Sequence, residues 1–235
     1  MLSYIDKIKE ISKRLLEEGQ VEMVIGFRKG TVPMMNEPYF AKTPEAVEHF
    51  VWDSNCGINL CNYLTNRTDK IGILAKGCDS RNIVTHIIEN KIKRDQLVII
   101  GVPCKGMIDR RKITAMFDGE IGEVIEDGNT ITVKGTDFEK SIDKKDVLQQ
   151  NCAVCIHRNP VIHDELVGDL ETESTDVDRY TDVREIEALA PRLDRRGHLV
   201  GFRGAQNELD VGRRFFHGLE QGVERGPREH VHLVD

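Results

Sequence analysis

"KIGILAKGCDSRNIVTHIIENKIKRDQLVIIGVPC", residues 70–104, carries the strongest structural pattern in the chain. An apolar run ends at a glycine turn, and Ile83, Ile87 and Ile88 then share one side of a helix pattern. The second apolar run is nearly uninterrupted, as is typical of a strand covered on both faces. A strand, a helix and a strand within about 30 residues predict a βαβ unit and therefore a parallel sheet.

Weaker patterns on both sides of this unit predict a mixed α/β domain. The turn near Asp127-Gly128 separates two alternating runs and indicates a β-hairpin. A Thr-Pro-Glu sequence at residues 43–45 is a typical helix start. Helices are predicted at residues 2–18, 43–52, 57–64 and 144–150, a strand at 21–30 and the hairpin at 120–135.

Composition narrows the function classes. The chain has 235 residues and a formal net charge of −7, which disfavours nucleic acid as a partner. No apolar run is long enough for a membrane span, and the first 20 residues lack the apolar segment of a signal peptide. We therefore expect a cytoplasmic, reducing environment, in which patterned cysteines indicate metal binding or catalysis rather than disulfides.

Four of the six cysteines form a pattern that predicts a metal centre. Cys78 and Cys104 each follow one of the two predicted parallel strands, whose carboxyl ends share one edge of the sheet. Cys152 and Cys155 form a C-x-x-C motif that a loop could bring to the same edge. Four thiolates suit zinc or a [4Fe–4S] cluster. The scattered spacing favours the cluster, because structural zinc sites usually use two short paired motifs.

Two alternatives remain open from the residues alone. One is a zinc-stapled structural or interaction domain without redox chemistry. The other is a dithiol protein using Cys152 and Cys155, which the following Asn159-Pro160 argues against because it disfavours a continuing helix. Cys56 is a fallback ligand, and Cys61 is expected in the core.

Backbone and basic groups near the predicted edge suggest a phosphate site. Arg28 and Lys29 end a predicted strand, and residues 77–81 begin a helix whose N–H groups could face a phosphate. An ordinary helix start capped by Asp79 or Ser80 explains the second feature equally well. The chain has neither a G-x-G-x-x-G nor a Walker-type loop.

The segments "VIGFRKGT", "AKGCDSRNIV", "RDQLVIIGVPCKGMID" and "NCAVCIHRNPVIHDELVGD" resemble the beta-subunit family of coenzyme F-420 hydrogenases and dehydrogenases. This family includes formate dehydrogenase beta-like 4Fe-4S iron–sulfur proteins, and the resemblance covers residues 20–170. It implies an electron-transfer subunit with one [4Fe–4S] cluster, and several members also carry FAD. In those members the flavin exchanges a hydride with a deazaflavin and passes single electrons through the cluster.

The resemblance also implies site residues and partners. The cluster ligands would be Cys78, Cys104, Cys152 and Cys155. The flavin would lie near residues 77–81 and 101–106, and its implied contacts are Arg28, Lys29, Gly77, Ser80, Arg81 and Gly106. Implied partners are the other subunits of a hydrogenase, formate dehydrogenase or heterodisulfide-reductase-like complex, and an electron donor or acceptor protein or a deazaflavin.

The composition changes beyond Pro191. Residues 192–235 contain eight arginines, seven glycines, four histidines and no lysine. We expect an iron–sulfur domain at residues 1–170, a linker at 171–191 and an atypical tail at 192–235. The tail is either a surface helix with irregular flanks or a shifted reading frame, and related chains continue there into a run of closely spaced cysteines.

Overall fold

The predicted βαβ unit forms the centre of the structure, a computed structural model that describes residues 3–117 and 121–173. Strand Ile71–Ala75 leads through helix Gly77–Ile88 to strand Leu97–Gly101, and the two strands pair in parallel. Every residue of the first strand is buried, as its continuous apolar run predicts.

Eight strands and four α-helices lie in the described part of the chain. The helices are α1 (Tyr4–Glu17), α2 (Gly77–Ile88), α3 (Arg110–Met116) and α4 (Gln150–Ala153). The strands are β1 (Met23–Arg28), β2 (Glu37–Ala41), β3 (Ile71–Ala75), β4 (Leu97–Gly101), β5 (Ile121–Asp127), β6 (Thr130–Gly135), β7 (Glu139–Asp143) and β8 (Glu165–Leu166). Short 3₁₀ helices occupy Glu45–His49, Leu60–Tyr63, Arg94–Gln96 and Lys144–Val147.

The larger sheet has the strand order β2-β1-β3-β4-β8. Strands β1, β3, β4 and β8 are parallel, and β2 pairs antiparallel with β1. The carboxyl ends of β1, β3 and β4 consequently share one edge. The mixed sheet and its flanking helices confirm the predicted α/β class.

The predicted hairpin is present and larger than expected. Strands β5 and β6 turn at Gly128, whose φ of +58° suits a two-residue hairpin loop. Strand β7 extends the pair to a three-stranded antiparallel sheet. A small core of its own stabilises this unit, and Phe117 stacks on Phe138 at 5.1 Å there.

Several predicted helices are shorter than expected. Residues 43–52 form only the 3₁₀ helix Glu45–His49, although Thr43 Oγ1 accepts a hydrogen bond from Ala46 N at 3.4 Å as a cap would. In the described residues, no helix has the length and apolar character needed to cross a membrane. The predicted tail at 192–235 and most of the predicted linker at 171–191 lie outside the described residues.

Candidate metal centre

Two of the predicted ligands follow neighbouring strands at the same edge. Cys78 lies in the first turn of α2, directly after β3, and Cys104 lies three residues beyond the end of β4. Ala75 and Gly101, the last residues of these strands, are paired. The two turns that carry Cys78 and Cys104 therefore lie side by side, as the sequence predicts.

The C-x-x-C segment returns to this edge through Arg158. The carbonyl of Arg158 accepts a hydrogen bond from Cys104 N at 3.0 Å. The guanidinium of the same residue donates to Cys152 O at 3.1 Å. One residue thus joins the turn after β4 to α4, which holds Cys152.

Gly77 allows the chain after Cys155 to approach α2 closely. A Cβ at this position would lie 2.7 Å from His157 O and 2.8 Å from Asn159 O, both backbone atoms that cannot easily move away. Only a residue without a side chain fits here. The glycine therefore holds the cysteine-bearing segment against the start of α2.

The thiols of Cys78, Cys104 and Cys152 are near enough to affect one another's ionisation. Cys78 is partly exposed, yet burial by its surroundings and then the Asp79 carboxylate raise the pKa of its thiol to about 11, and the other two sulfurs add to the rise. Burial also raises the pKa of Cys104, against the effect of a hydrogen bond from Gly106 N at 3.3 Å. Metal binding must displace these protons, so it will strengthen as the pH rises.

Cys155 lies beside a buried nitrogen that has no partner. Its Sγ donates to His157 O at 3.3 Å, and Arg81 Nη2 donates to the same oxygen at 3.4 Å. Arg81 Nη1 is buried without a hydrogen-bond partner. A buried unpaired donor is uncommon and indicates a missing acceptor next to the C-x-x-C loop.

The four predicted ligands are all cysteines, a donor set that suits a zinc ion or a [4Fe–4S] cluster. In residues 3–117 and 121–173, no three His, Cys, Asp or Glu side chains are grouped as one metal ion would require. Ligand sulfurs on one zinc ion would lie about 4 Å apart. In a [4Fe–4S] cluster each cysteine binds a different iron, so its ligands stand farther apart. The unpaired Arg81 nitrogen and the Gly106 N–H group, which donates to Cys104 Sγ, suit the anionic sulfurs of such a group.

A buried ion pair beneath the cysteines was not predicted. The side chains of Lys76 and Asp79 are 2% and 0% exposed, and Lys76 Nζ lies 2.8 Å from Asp79 Oδ2. Lys76 Nζ also donates to Ile58 O at 3.1 Å and lies 4.9 Å from the centre of the Phe27 ring. Lysine is rarely buried, so a lone lysine in sequence gives no sign of such a position.

Protein groups already occupy part of the predicted phosphate site. The hydroxyl of Ser80 donates to Gly77 O at 2.9 Å and accepts from Val161 N at 3.0 Å. Arg28 forms an ion pair with Glu37 at 2.5 Å. The start of α2 is thus bound by its own neighbours.

The register of the sheet places two predicted basic residues at the same edge as the cysteines. Ile25 of β1 is opposite Ile73 of β3, so Arg28, the last residue of β1, and Lys29, which follows it, lie near the level of the start of α2. Both residues are exposed.

Two cavities border the site. The smaller has about 320 Å³ and includes Cys104 and Gly106 in its wall, together with Trp52. The larger has about 920 Å³ and touches the first residues of α4. Its polar lining includes two arginines, Arg110 and Arg111, and the amide residues Asn36, Asn55, Gln149, Gln150 and Asn151. The buried Oδ1 of Asn55 has no hydrogen-bond partner.

Cys56 and Cys61 lie in the core. Both are fully buried, and burial raises the pKa of each to about 12. Asn36 Nδ2 donates to Cys56 Sγ at 3.4 Å, and Cys61 Sγ lies 3.4 Å from His86 Nδ1. The expected core position of Cys61 is therefore confirmed.

No family model and no curated protein match the chain. Among solved structures, it is similar to a chain of the F420-reducing [NiFe] hydrogenase complex from Methanosarcina barkeri, solved as a xenon derivative, with a TM-score of 0.51 and 16% identity. The match covers 64% of this chain and 59% of that chain. It shows a shared fold.

Proposed function

We propose that this chain is an iron–sulfur electron-transfer subunit of a larger oxidoreductase. It holds one [4Fe–4S] cluster through Cys78, Cys104, Cys152 and Cys155. The observation that carries the proposal is the convergence of three separate chain segments. The turns after β3 and β4, which carry Cys78 and Cys104, follow paired strand ends, and Arg158 joins the second turn to helix α4, which carries Cys152.

The thiolates and the residues around them have different roles in the proposed site. The four thiolates bind the irons, and Gly106 N donates to Cys104 Sγ, which stabilises negative charge on that sulfur. Arg158 fixes the turn after β4 against α4. When bound, the cluster supplies one-electron transfer, with a potential that depends on hydrogen bonds to its sulfurs and on solvent exposure.

The proposed partners are the other subunits of a redox complex. The solved structure with a similar fold belongs to a multi-subunit hydrogenase complex, which supports this class of assembly. The name of that hydrogenase complex also supports a deazaflavin as the electron donor or acceptor of this chain. A redox protein is the other candidate for that role.

We propose the larger cavity as the site of the flavin. Its volume of about 920 Å³ suits a large cofactor. Amide side chains both donate and accept hydrogen bonds, as the imide edge of a flavin ring requires, and Asn55 Oδ1 is an unpartnered acceptor there. Arg110 and Arg111 supply charge for phosphate groups. The predicted contacts at Gly77 and Ser80 have less room, because protein atoms already cover them.

A panel of alanine variants tests the cluster. Anaerobic reconstitution with iron and sulfide should load about four irons per wild-type chain. Cys78→Ala, Cys104→Ala, Cys152→Ala and Cys155→Ala should each lose most of that iron. Cys61→Ala is the matched control, because it removes a core thiol outside the edge, and it should retain the iron.

The same panel can contradict the assignment. Full iron content in Cys78→Ala and Cys104→Ala would overturn the proposed ligand set. A loss of iron in Cys56→Ala with full content in Cys155→Ala would assign the fourth ligand to Cys56 instead.

Flavin binding is tested by FAD titration followed by flavin fluorescence. Replacing both Arg110 and Arg111 by alanine should weaken FAD binding about a hundredfold or more, since each charge-assisted contact contributes about 1.5–3 kcal/mol. Arg14→Ala is the control, because Arg14 pairs with Glu165 on the surface of α1. Equal affinity in wild type and the double variant would contradict the placement.

A further inference from the structure

The side chains of Lys76 and Asp79 are buried, and the fold does not require that they be charged. The free energy lost when two charges leave water usually exceeds the free energy gained from their attraction. Asp79 Oδ2 accepts a hydrogen bond from Lys76 N at 3.1 Å and so caps α2. A neutral asparagine could accept the same hydrogen bond, and capping does not require a buried lysine.

The position of the pair relates it to the cysteines. Lys76 directly follows β3 and precedes Cys78 by two residues, and Asp79 directly follows Cys78. Val102 N donates to Ala75 O at 2.9 Å, so the turn that leads to Cys104 runs beside Lys76. Both predicted ligands at the strand ends therefore lie next to the ion pair.

We propose that the two opposite charges of the Lys76–Asp79 pair set the reduction potential of the metal centre. This inference rests on the proposed function. Reduction adds one electron to the cluster without changing its ligands, so it increases the negative charge at the edge. A buried cation stabilises the reduced state and a buried anion destabilises it, with little screening by solvent. Lys76 therefore raises the potential, and Asp79 lowers it.

Two single variants should move the potential in opposite directions. Asp79→Asn keeps the shape and the capping acceptor but leaves Lys76 uncompensated, so the midpoint potential should shift upward. Lys76→Met removes the cation and should shift it downward. The double variant should lie between the two. The measurement is a dithionite titration of the reconstituted chain, followed by absorbance with redox mediators.

A surface pair at the opposite, C-terminal end of α2 supplies the control. Lys91 and Glu89 form an ion pair at 2.6 Å, but their side chains are 46% and 48% exposed. Solvent and salt screen such charges, so Lys91→Met and Glu89→Gln should leave the potential unchanged.

The outcomes separate this inference from the proposed function. A wild-type chain that binds no cluster overturns the proposed function. A cluster with full iron content whose potential does not change in Asp79→Asn overturns the role of the ion pair. If Lys76→Met does not fold, the direction of the shift in Asp79→Asn alone decides, and a downward shift contradicts the inference.

Discussion

Gly77 controls how closely the cysteine-bearing segment approaches the sheet edge. The backbone from His157 to Asn159 fills the space that a side chain would need. Any larger residue must push this segment away from α2, and Cys155 lies at its beginning. A single methyl group at this position therefore alters the geometry of the proposed ligands.

Replacement of Gly77 by alanine should reduce both stability and iron loading. Overpacking against fixed backbone costs about 1–3 kcal/mol. Chemical denaturation and iron analysis after reconstitution measure the two effects. The control is Gly122→Ala in β5, where a new Cβ would find its nearest neighbour, Lys134 O, at 3.7 Å. Normal iron loading in Gly77→Ala would contradict this account of the loop.

The residues after the C-x-x-C motif have structural tasks that explain their spacing. Asn159 exchanges hydrogen bonds with the backbone of Glu171 at 2.8 Å in each direction. A Cβ on Gly101 would lie 2.7 Å from the ring of Pro160, which packs on the end of β4. Asp164 Oδ2 accepts from Ile99 N at 2.7 Å. These contacts align the returning segment with β4.

At the scale of elements, the sequence predicts those strands whose apolar pattern is strong. Strands β3 and β4 were predicted because continuous apolar runs suit strands covered on both faces. Strand β2 is not predicted; it contains Pro38, which an edge strand tolerates. Strand β8 has only two residues and depends on tertiary contacts. The cysteine positions were predictable from these strand ends, whereas the buried Lys76 was not.

Glu126 links the three-stranded sheet to the larger domain through its hydrogen bonds with Ser54. Glu126 of β5 accepts hydrogen bonds from Ser54 N at 2.8 Å and Ser54 Oγ at 2.6 Å, and it pairs with Lys144. The side chain of Lys144 is 7% exposed. Together these residues also form part of the wall of the cavity that includes Cys104.

Loss of the Lys144 cation should destabilise the chain. Lys144→Met leaves the Glu126 carboxylate without its charged partner, at a cost of about 1–3 kcal/mol. Urea unfolding measures the change. Lys145→Met is the control, because Lys145 is 71% exposed, and no measurable change is expected from it. Equal effects of the two variants would contradict the role of the pair.

Glu126 also makes the free energy of unfolding depend on pH. Burial alone would raise the pKa of Glu126, but hydrogen bonds from Lys144 and Ser54 outweigh it and hold this pKa below its ordinary value of 4.5. The stabilisation is therefore present above pH 4.5 and is lost as the pH falls through the lowered pKa. In Glu126→Gln, the free energy of unfolding should fall less steeply as the pH is lowered below 4.5. An unchanged decrease would exclude Glu126 as its cause.

At the scale of the whole molecule, the fold explains how the proposed ligands can be so far apart in sequence. Parallel strands deliver Cys78 and Cys104 to one edge, and β8 aligns the segment after Cys155 beside β4. The edge of the sheet thus assembles the donor set from three segments. The central claim is that this donor set binds one [4Fe–4S] cluster.

Anaerobic reconstitution of the wild-type chain, followed by an absorption spectrum before and after dithionite, tests that claim most directly. We expect a broad band near about 400 nm that bleaches on reduction, with about four irons and four sulfides per chain. FAD, added during reconstitution, should contribute its own bands if the larger cavity binds it. A colourless protein that retains about one zinc ion instead would contradict the account.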